Sequence, residues 1–378
     1  MHLLDLDDAL LLDIIVRATR DGCEGVGDDA DAADGRAETL GVSYDALDLA
    51  LVCARFRPLA AAAALRTIEI GSATQLEDLL DHLAERPDAA VHIRGIALSH
   101  QFARPPRPRM HQVATLLHLA TCAVSLRLDL PGVELGELVD ALPTSFARIR
   151  YISLVVSSWA SAPASLSLDT LRLLNLVGRS LRWLVLDTDG GDVGEAVKLQ
   201  LPALRGFSCC VISPLALRVV NATDQLRAVA FRSRSDLKTE SQQFVDGVRN
   251  EVAASIEIMR VRDHRAASHH PTSFASFGSL QLLDIGGLDG ELARELPSSL
   301  RQLVVRTDAL PLTLARGLLE EPTWLPNLRS IGLRSKRRFA GSRLLQRDSD
   351  ALMEAAQARS VRARILNEVR LAPPSRRR

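Results

Sequence analysis

Leu181-Arg182-Trp183-Leu184-Val185-Leu186 sets apolar side chains at its first, fourth and sixth positions. The same figure returns along most of the chain. It is met at Leu65/Ile68/Ile70, Ile93/Ile96/Leu98, Ile149/Ile152/Leu154, Leu204/Phe207/Cys209 and Leu226/Val229/Phe231. Later copies are Ile256/Met259/Val261, Leu280/Leu283/Ile285, Leu300/Leu303/Val305 and Leu328/Ile331/Leu333. The fourth and sixth residues of each copy share one face of a short strand, and the first anchors the turn leading into it. One such strand cannot bury its apolar face alone. Stacked copies can, which makes the repeat the unit of folding.

Most starts lie about twenty to thirty residues apart, the period of leucine-rich repeats. Helical spacing fills the intervals. Leu76, Leu79, Leu80 and Leu83 mark a helix over Gln75–Glu85, and others are expected over Val113–Thr121, Leu135–Leu142, Ser241–Asn250, Glu291–Leu296, Leu312–Glu320 and Ala351–Ala358. Leu171/Leu174/Leu176 also fits the figure but begins only ten residues before Leu181. That interval is too short for a repeat, so Leu166–Val177 reads as a helix closed by Gly178. A strand, a helix behind it and a parallel return strand define the expected fold class: α/β, a leucine-rich-repeat solenoid with a curved parallel sheet and outer helices, preceded by a small all-α domain. The ninth position, where strong repeats carry Asn or Cys, holds Ala73, Gln101, Asp189, Ile212, Arg234, Leu288, Asp308 and Lys336, so the repeats are irregular. Loops are expected at Gln101–Arg109, His264–Ser279 and Arg337–Ser349, and a patternless tail at Ala372–Arg378.

Hydrophobic residues make up 47% of the 378 and aromatics only 4%, which suits thin repeated layers better than a core built on large rings. The formal net charge is zero, but acids exceed bases by ten over Met1–Asp48 and bases exceed acids by ten over Arg329–Arg378. Five cysteines (Cys23, Cys53, Cys122, Cys209, Cys210) form no disulfide framework, and adjacent Cys209 and Cys210 on a strand would point to opposite faces. No window holds eighteen uninterrupted apolar residues, and the N-terminus carries acids where a signal peptide needs bases. Reduced thiols and a cytoplasmic or nuclear location are expected.

Ahead of the repeats, Asp7 caps a helix bearing Leu10, Leu11, Ile14, Ile15 and Ala18 on one face. An Asp-rich insertion follows at about 21–42. The next helix carries two apolar stripes, Leu47/Ala50/Leu51/Ala54 and Leu49/Val52/Cys53/Phe56, where a surface helix needs one. Pro58 opens a short third helix over Leu59–Ala64. LDLDDALLLDII and LALVCARFRPLA resemble the two halves of an F-box, with Leu6, Leu10, Leu11, Ile14, Ile15, Leu49, Val52, Cys53, Phe56, Leu59 and Leu65 at its apolar positions. Asp7 stands where that family usually has Pro, and the insertion parts the halves. An F-box followed by leucine-rich repeats is common in fungal proteins, which the chain resembles throughout. The resemblance implies a substrate-recognition subunit of an SCF-type (cullin-RING) ubiquitin ligase. Leu10, Leu11, Ile14, Ile15, Leu51, Val52, Phe56 and Leu59 would bind a Skp-type adaptor, and through it a cullin, while the repeats bind a protein client. The alternative is a repeat scaffold with no ubiquitin role, whose N-terminal helices only cap the solenoid. The expected domains are 1–66, F-box-like; 67–370, repeats; and 371–378, a basic tail.

No Walker-A loop, G-x-G-x-x-G, G-x-S-x-G or H-E-x-x-H occurs. Neither an enzyme nor a cofactor is expected. His264, His269 and His270 with Asp263 fall in a polar loop and read as solvated rather than metal-binding. The third, fifth and seventh positions of each repeat face away from the helices. They are Trp183/Val185/Asp187, Ala228/Ala230/Arg232, Ile258/Arg260/Arg262, Gln302/Val304/Arg306 and Ser330/Gly332/Arg334. Arg232, Arg262, Arg306 and Arg334 share the seventh position and, with Arg260, form a candidate client-binding stripe for acidic or phosphorylated segments, interrupted by Asp284. Solvated arginines on an exposed strand are the plainer reading. The basic tail lacks the interleaved aromatics of single-strand binders, and neither nucleic acid nor membrane is an expected partner.

Overall fold

The computed structural model describes residues 7, 59, 62–63, 65–99, 109–142, 148–157, 163–188, 198–210, 212–233, 240–263, 274–285, 288, 290, 292–306, 311–335 and 343–367. The chain forms two compact units, Met1–Cys209 with Ser213–Thr223, and Cys210–Ile212 with Asp224–Arg378.

In the first unit, β1 (Thr67–Ile70), β2 (Gly95–Ser99), β3 (Ser125–Pro131), β4 (Tyr151–Ser157), β5 (Trp183–Thr188) and β6 (Gly206–Cys209) lie in chain order, every neighbouring pair parallel. Between them run α1 (Ala73–Glu85), α2 (Met110–Leu119), α3 (Gly132–Ala141) and α4 (Pro163–Val177), with α5 (Pro214–Asn221) after β6. The second unit repeats the plan with β7 (Ala228–Ser233), β8 (Ile258–Asp263), β9 (Leu282–Ile285), β10 (Gln302–Arg306), β11 (Ser330–Ser335) and β12 (Arg362–Asn367), again parallel and in order. Its helices are α6 (Glu240–Gly247), α7 (Asn250–Ser255), α8 (Leu312–Glu320) and α9 (Arg343–Ala358). One strand per repeat, returning in parallel past a helical segment, is the α/β leucine-rich-repeat solenoid expected from the spacing.

Register explains the core. Ile96, Leu126, Ile152, Leu184 and Phe207 are successive Cα partners, and all are buried. Met259, Leu283, Leu303, Ile331 and Ala363 form the matching ladder in the second unit, also buried. Each rung removes one aliphatic or aromatic side chain from water, worth about 1.5–3 kcal/mol for a Leu, Ile or Phe. Every rung depends on its neighbours, so the ladder is stable as a stack and not as single strands.

Local signals set the helices. Ser72 Oγ accepts the Gln75 N–H at 3.2 Å while Gln75 Oε1 accepts the Gly71 N–H at 2.8 Å, a reciprocal cap that starts α1. Ser213 Oγ caps α5 through the Ala216 N–H at 3.2 Å, with Pro214 at the first helical position.

Several expectations need correction. Two strands went unmarked, β3 and β12, because Ala123 and Ser360 stand where the other repeats have a large aliphatic residue. Helix α5 was also unmarked, and the helix expected over Ser241–Asn250 is two, α6 and α7. Arg343–Ser349, expected as loop, is the first half of α9. In the stretch read as the loop His264–Ser279, Phe274 and Phe277 are fully buried, their rings 6.2 Å apart. Strand β6 ends at Cys209, so Cys210 lies just past it. The tail Ala372–Arg378 and the loop 101–108 lie outside the described residues.

Candidate functional site

The helices cover one face of each strand row, and the opposite face is exposed at some positions and buried at others. In β5 the alternation is regular: Leu184 and Leu186 are buried, while Trp183, Val185 and Asp187 are half-buried on the opposite side. Glu69, Arg127 and Gln302 occupy the same open face in other repeats and are exposed. An open face running along consecutive strands is the extended binding surface that stacked repeats provide.

Charge is segregated along the seventh position of that face. In the first unit the register aligns Ser99, Asp129, Val155 and Asp187. In the second it pairs Arg232 with Arg262 on β7 and β8, and Arg306 with Arg334 on β10 and β11. The four arginines expected to make one stripe are therefore two adjacent pairs. Strand β9 ends at Ile285 between them, and β12 places Leu366 beside Arg334.

Arg260 differs from those four. It is 3% exposed, and its Cα partners are Ala230 on β7 and Asp284 on β9, itself 4% exposed. The acid read as an interruption occupies the neighbouring position on the next strand, on the same face as the buried arginine. A buried cation needs such a neighbour, because taking it from water alone is costly. Arg260, expected in the client-binding stripe, is thus buried in the described structure.

Of the residues expected to hold an adaptor, Leu10, Leu11, Ile14, Ile15, Leu51, Val52 and Phe56 lie outside the described residues, as do the insertion and both halves of the F-box-like stretch before Leu59. Leu59 is described and is 8% exposed, buried together with Ala62 within the chain itself. His264, His269 and His270 also lie outside the described residues. Among the described residues, no group of three His, Cys, Asp or Glu side chains could hold a metal, and no helix is long and apolar enough to cross a membrane. Among the described residues, Cys122, Cys209 and Cys210 are not joined in disulfides.

One column escaped the reading of the sequence altogether. The second position of each repeat, just before the strand, is Arg66, Arg94, Val124, Arg150, Arg182 and Arg205 in the first unit. The letters are visible in the chain, but only the strand register turns them into neighbours.

No family model and no curated protein matches this chain. Among solved structures, the leucine-rich-repeat-containing protein LegL7 from Legionella pneumophila is similar over 73% of this chain and 84% of its own, at 13% identity and a TM-score of 0.44. A protein from Bacteroides fragilis is similar over 76% of this chain and 60% of its own, at 12% identity and a TM-score of 0.28. The class rests on the repeat geometry itself: an α/β protein of leucine-rich-repeat type, one parallel strand to each repeat.

Proposed function

We propose that this chain is a non-catalytic protein-interaction receptor that works as the substrate-recognition subunit of an SCF-type ubiquitin ligase, in the cytoplasm or nucleus. The observation that carries the client half is the paired register of Arg232 with Arg262 and of Arg306 with Arg334, all at the seventh position of their repeats. Arginines on adjacent strands, whose backbones run about 4.8 Å apart, suit carboxylates or phosphates of an acidic or phosphorylated protein segment. The adaptor half rests on the resemblance of Leu6–Leu65 to an F-box. Its mechanism is proximity: one end docks a Skp-type adaptor and cullin, and the other raises the local concentration of a client lysine.

A pull-down with the full chain tests both halves. The chain should capture the adaptor and lose it on Leu51→Asp or Phe56→Asp, while Arg262→Glu with Arg306→Glu should remove the clients recovered by proximity labelling. Failure of the intact chain to capture an adaptor would remove the ligase role. The remaining reading is a scaffold whose N-terminal helices only cover the solenoid end, and the burial of Leu59 and Ala62 within the chain favours it.

A further inference from the structure

The second-position column of the first unit is tied together through its backbone. Each residue donates its N–H to the carbonyl of the one before it: Arg94 to Arg66, Val124 to Arg94 and Arg150 to Val124, each at 2.8 Å, then Arg182 to Arg150 at 2.7 Å and Arg205 to Arg182 at 2.8 Å. These bonds fix the side chains at strand spacing along the edge where the strands begin. Part of that edge opens into a cleft of about 460 Å³ whose lining includes Arg94, Arg148, Arg150, Arg179 and Arg182. All five are exposed. Arg148 and Arg179 come from the turns before β4 and β5, so the turns add cations to those of the column.

Two of the five are oriented by the same turn. Arg148 Nη1 donates to the Thr121 carbonyl at 2.5 Å and Arg94 Nη1 to the Cys122 carbonyl at 3.4 Å. Each bond uses one N–H of a fork that has five. Among the described residues, no carboxylate lines the cleft and none of the five arginines is ion-paired. Elsewhere this chain does neutralise its arginines. In the second unit the same column reads Arg227, Glu257, Gln281, Arg301, Arg329 and Val361, and Arg227 pairs with Glu257 at 3.5 Å. Like charges closer than the Debye length, about 8 Å at physiological salt, repel one another. Five cations lining one cleft raise the positive potential that an incoming anion meets there.

We propose that this cleft binds an acidic segment of another protein, an extended stretch with several Asp or Glu carboxylates along its length. The cations come from successive repeats along the strand edge, so a chain with spaced anions can meet several of them at once. Arginine forks match carboxylates with two parallel hydrogen bonds. Among the described residues the lining holds no aromatic side chain on which the bases of a single-stranded nucleic acid would stack. The site lies in the first unit and does not depend on the client surface proposed for the second.

The probe is a fluorescent peptide of alternating Glu and Ser, titrated by anisotropy onto the full chain at low and at physiological salt. Binding should be measurable and should weaken as salt rises. Arg150→Glu with Arg182→Glu should weaken it about tenfold or more, and the milder Arg150→Gln with Arg182→Gln should weaken it less. Arg301→Glu with Arg329→Glu, at the same position in the second unit, should leave it unchanged. Circular dichroism establishes that each variant is folded, and the Gln pair serves if the Glu pair is not. Lack of binding by the native chain, equal losses in both units, or tighter binding of an oligothymidylate that depends on Arg150 and Arg182 would each overturn the proposal.

Discussion

The indole of Trp183 occupies the space that a side chain at Gly206 would need. The two are Cα partners across β5 and β6, and a Cβ on Gly206 would fall on the ring at Cε3, Cζ3 and Cδ2. Trp183 is half-buried on the open face, so its ring roofs the backbone of the next strand. Gly206→Ala must push the ring aside, at an expected cost of about 1–3 kcal/mol. Urea unfolding measures the loss, and tryptophan emission should shift to the red as the indole moves into water. Trp183→Ala should relieve most of the penalty, because residues in contact couple in a double-mutant cycle. An equal cost of Gly206→Ala in both backgrounds would show that the ring is not the obstacle.

Gly178 presents the harder case. A Cβ there would stand 2.5 Å from the Gln200 carbonyl oxygen and 2.9 Å from that of Leu174. Carbonyl oxygens of fixed backbone cannot swing away as an indole can. Gly178→Ala should therefore cost more than Gly206→Ala, about 3 kcal/mol or above. Gly317, inside α8, is the contrast, since nothing lies within 4 Å of a Cβ built on it. Gly317→Ala gains helix propensity with no obstacle and should stabilise by about 0.5–1 kcal/mol. Thermal melts of the two variants should move in opposite directions.

These glycines show where reading the chain stops. Gly178 was expected to close α4, and it does follow that helix, but the demand on it comes from Gln200, in the next repeat. The strand figure was legible wherever all three apolar positions were large. It failed at β3 because the first slot needs only to be buried, and Ala123 is 3% exposed there. Helix α5 was missed although Ser213-Pro214 is a start signal, because it follows only a few residues after β6. The site was less legible than the fold. Arg260 looks like any other open-face arginine until the register sets Asp284 beside it. The cleft likewise needs Arg94, Arg150 and Arg182 brought together from three repeats.

Arg172 on α4 joins two carboxylates, at 2.6 Å to Asp140 on α3 and 3.2 Å to Asp169 one turn back on its own helix. The hydrogen bond to Asp140, with the attraction of both acids, raises its pKa above an already high ordinary value. A raised cation contributes its stability below that pKa and loses it only as pH climbs through it. The bridge is therefore intact across the neutral range. Arg172 and Asp140 are 45% and 68% exposed, so solvent screens the pair. Arg172→Ala should cost no more than about 1 kcal/mol, should cost less at high salt, and should cost the same at pH 6 and pH 9. Urea unfolding under those conditions measures it, and a loss that grows with salt would point to packing by the arginine stem instead.

Helix α9 ends in a left-handed turn at a residue that is not glycine. The Val361 N–H reaches back to the Ala356 carbonyl at 2.8 Å and the Ser360 N–H to Gln357 at 2.9 Å, the two bonds of a Schellman closure, with Ser360 at φ 58°. Glycine takes that conformation without the clash between Cβ and carbonyl that costs an L residue about 1–2 kcal/mol. Ser360→Gly gives back part of this gain as unfolded-chain entropy, so the net should be a stabilisation of a few tenths to about 1 kcal/mol. The residue before it makes the closure matter. Arg359 Nη2 donates to the carbonyls of Trp324 at 2.8 Å and Leu325 at 3.3 Å, and Nη1 to that of Leu319 at 3.4 Å. The turn thus aims a guanidinium at the end of α8 and the bend after it. Arg359→Met keeps the stem and removes these bonds, and should cost about 1.5–3 kcal/mol. If the left-handed backbone sets the helix end by itself, Ser360→Gly should stabilise the native chain and the Arg359→Met chain alike, because both keep the same turn. A gain confined to the native chain would mean that the arginine, and not the left-handed backbone, sets the helix end.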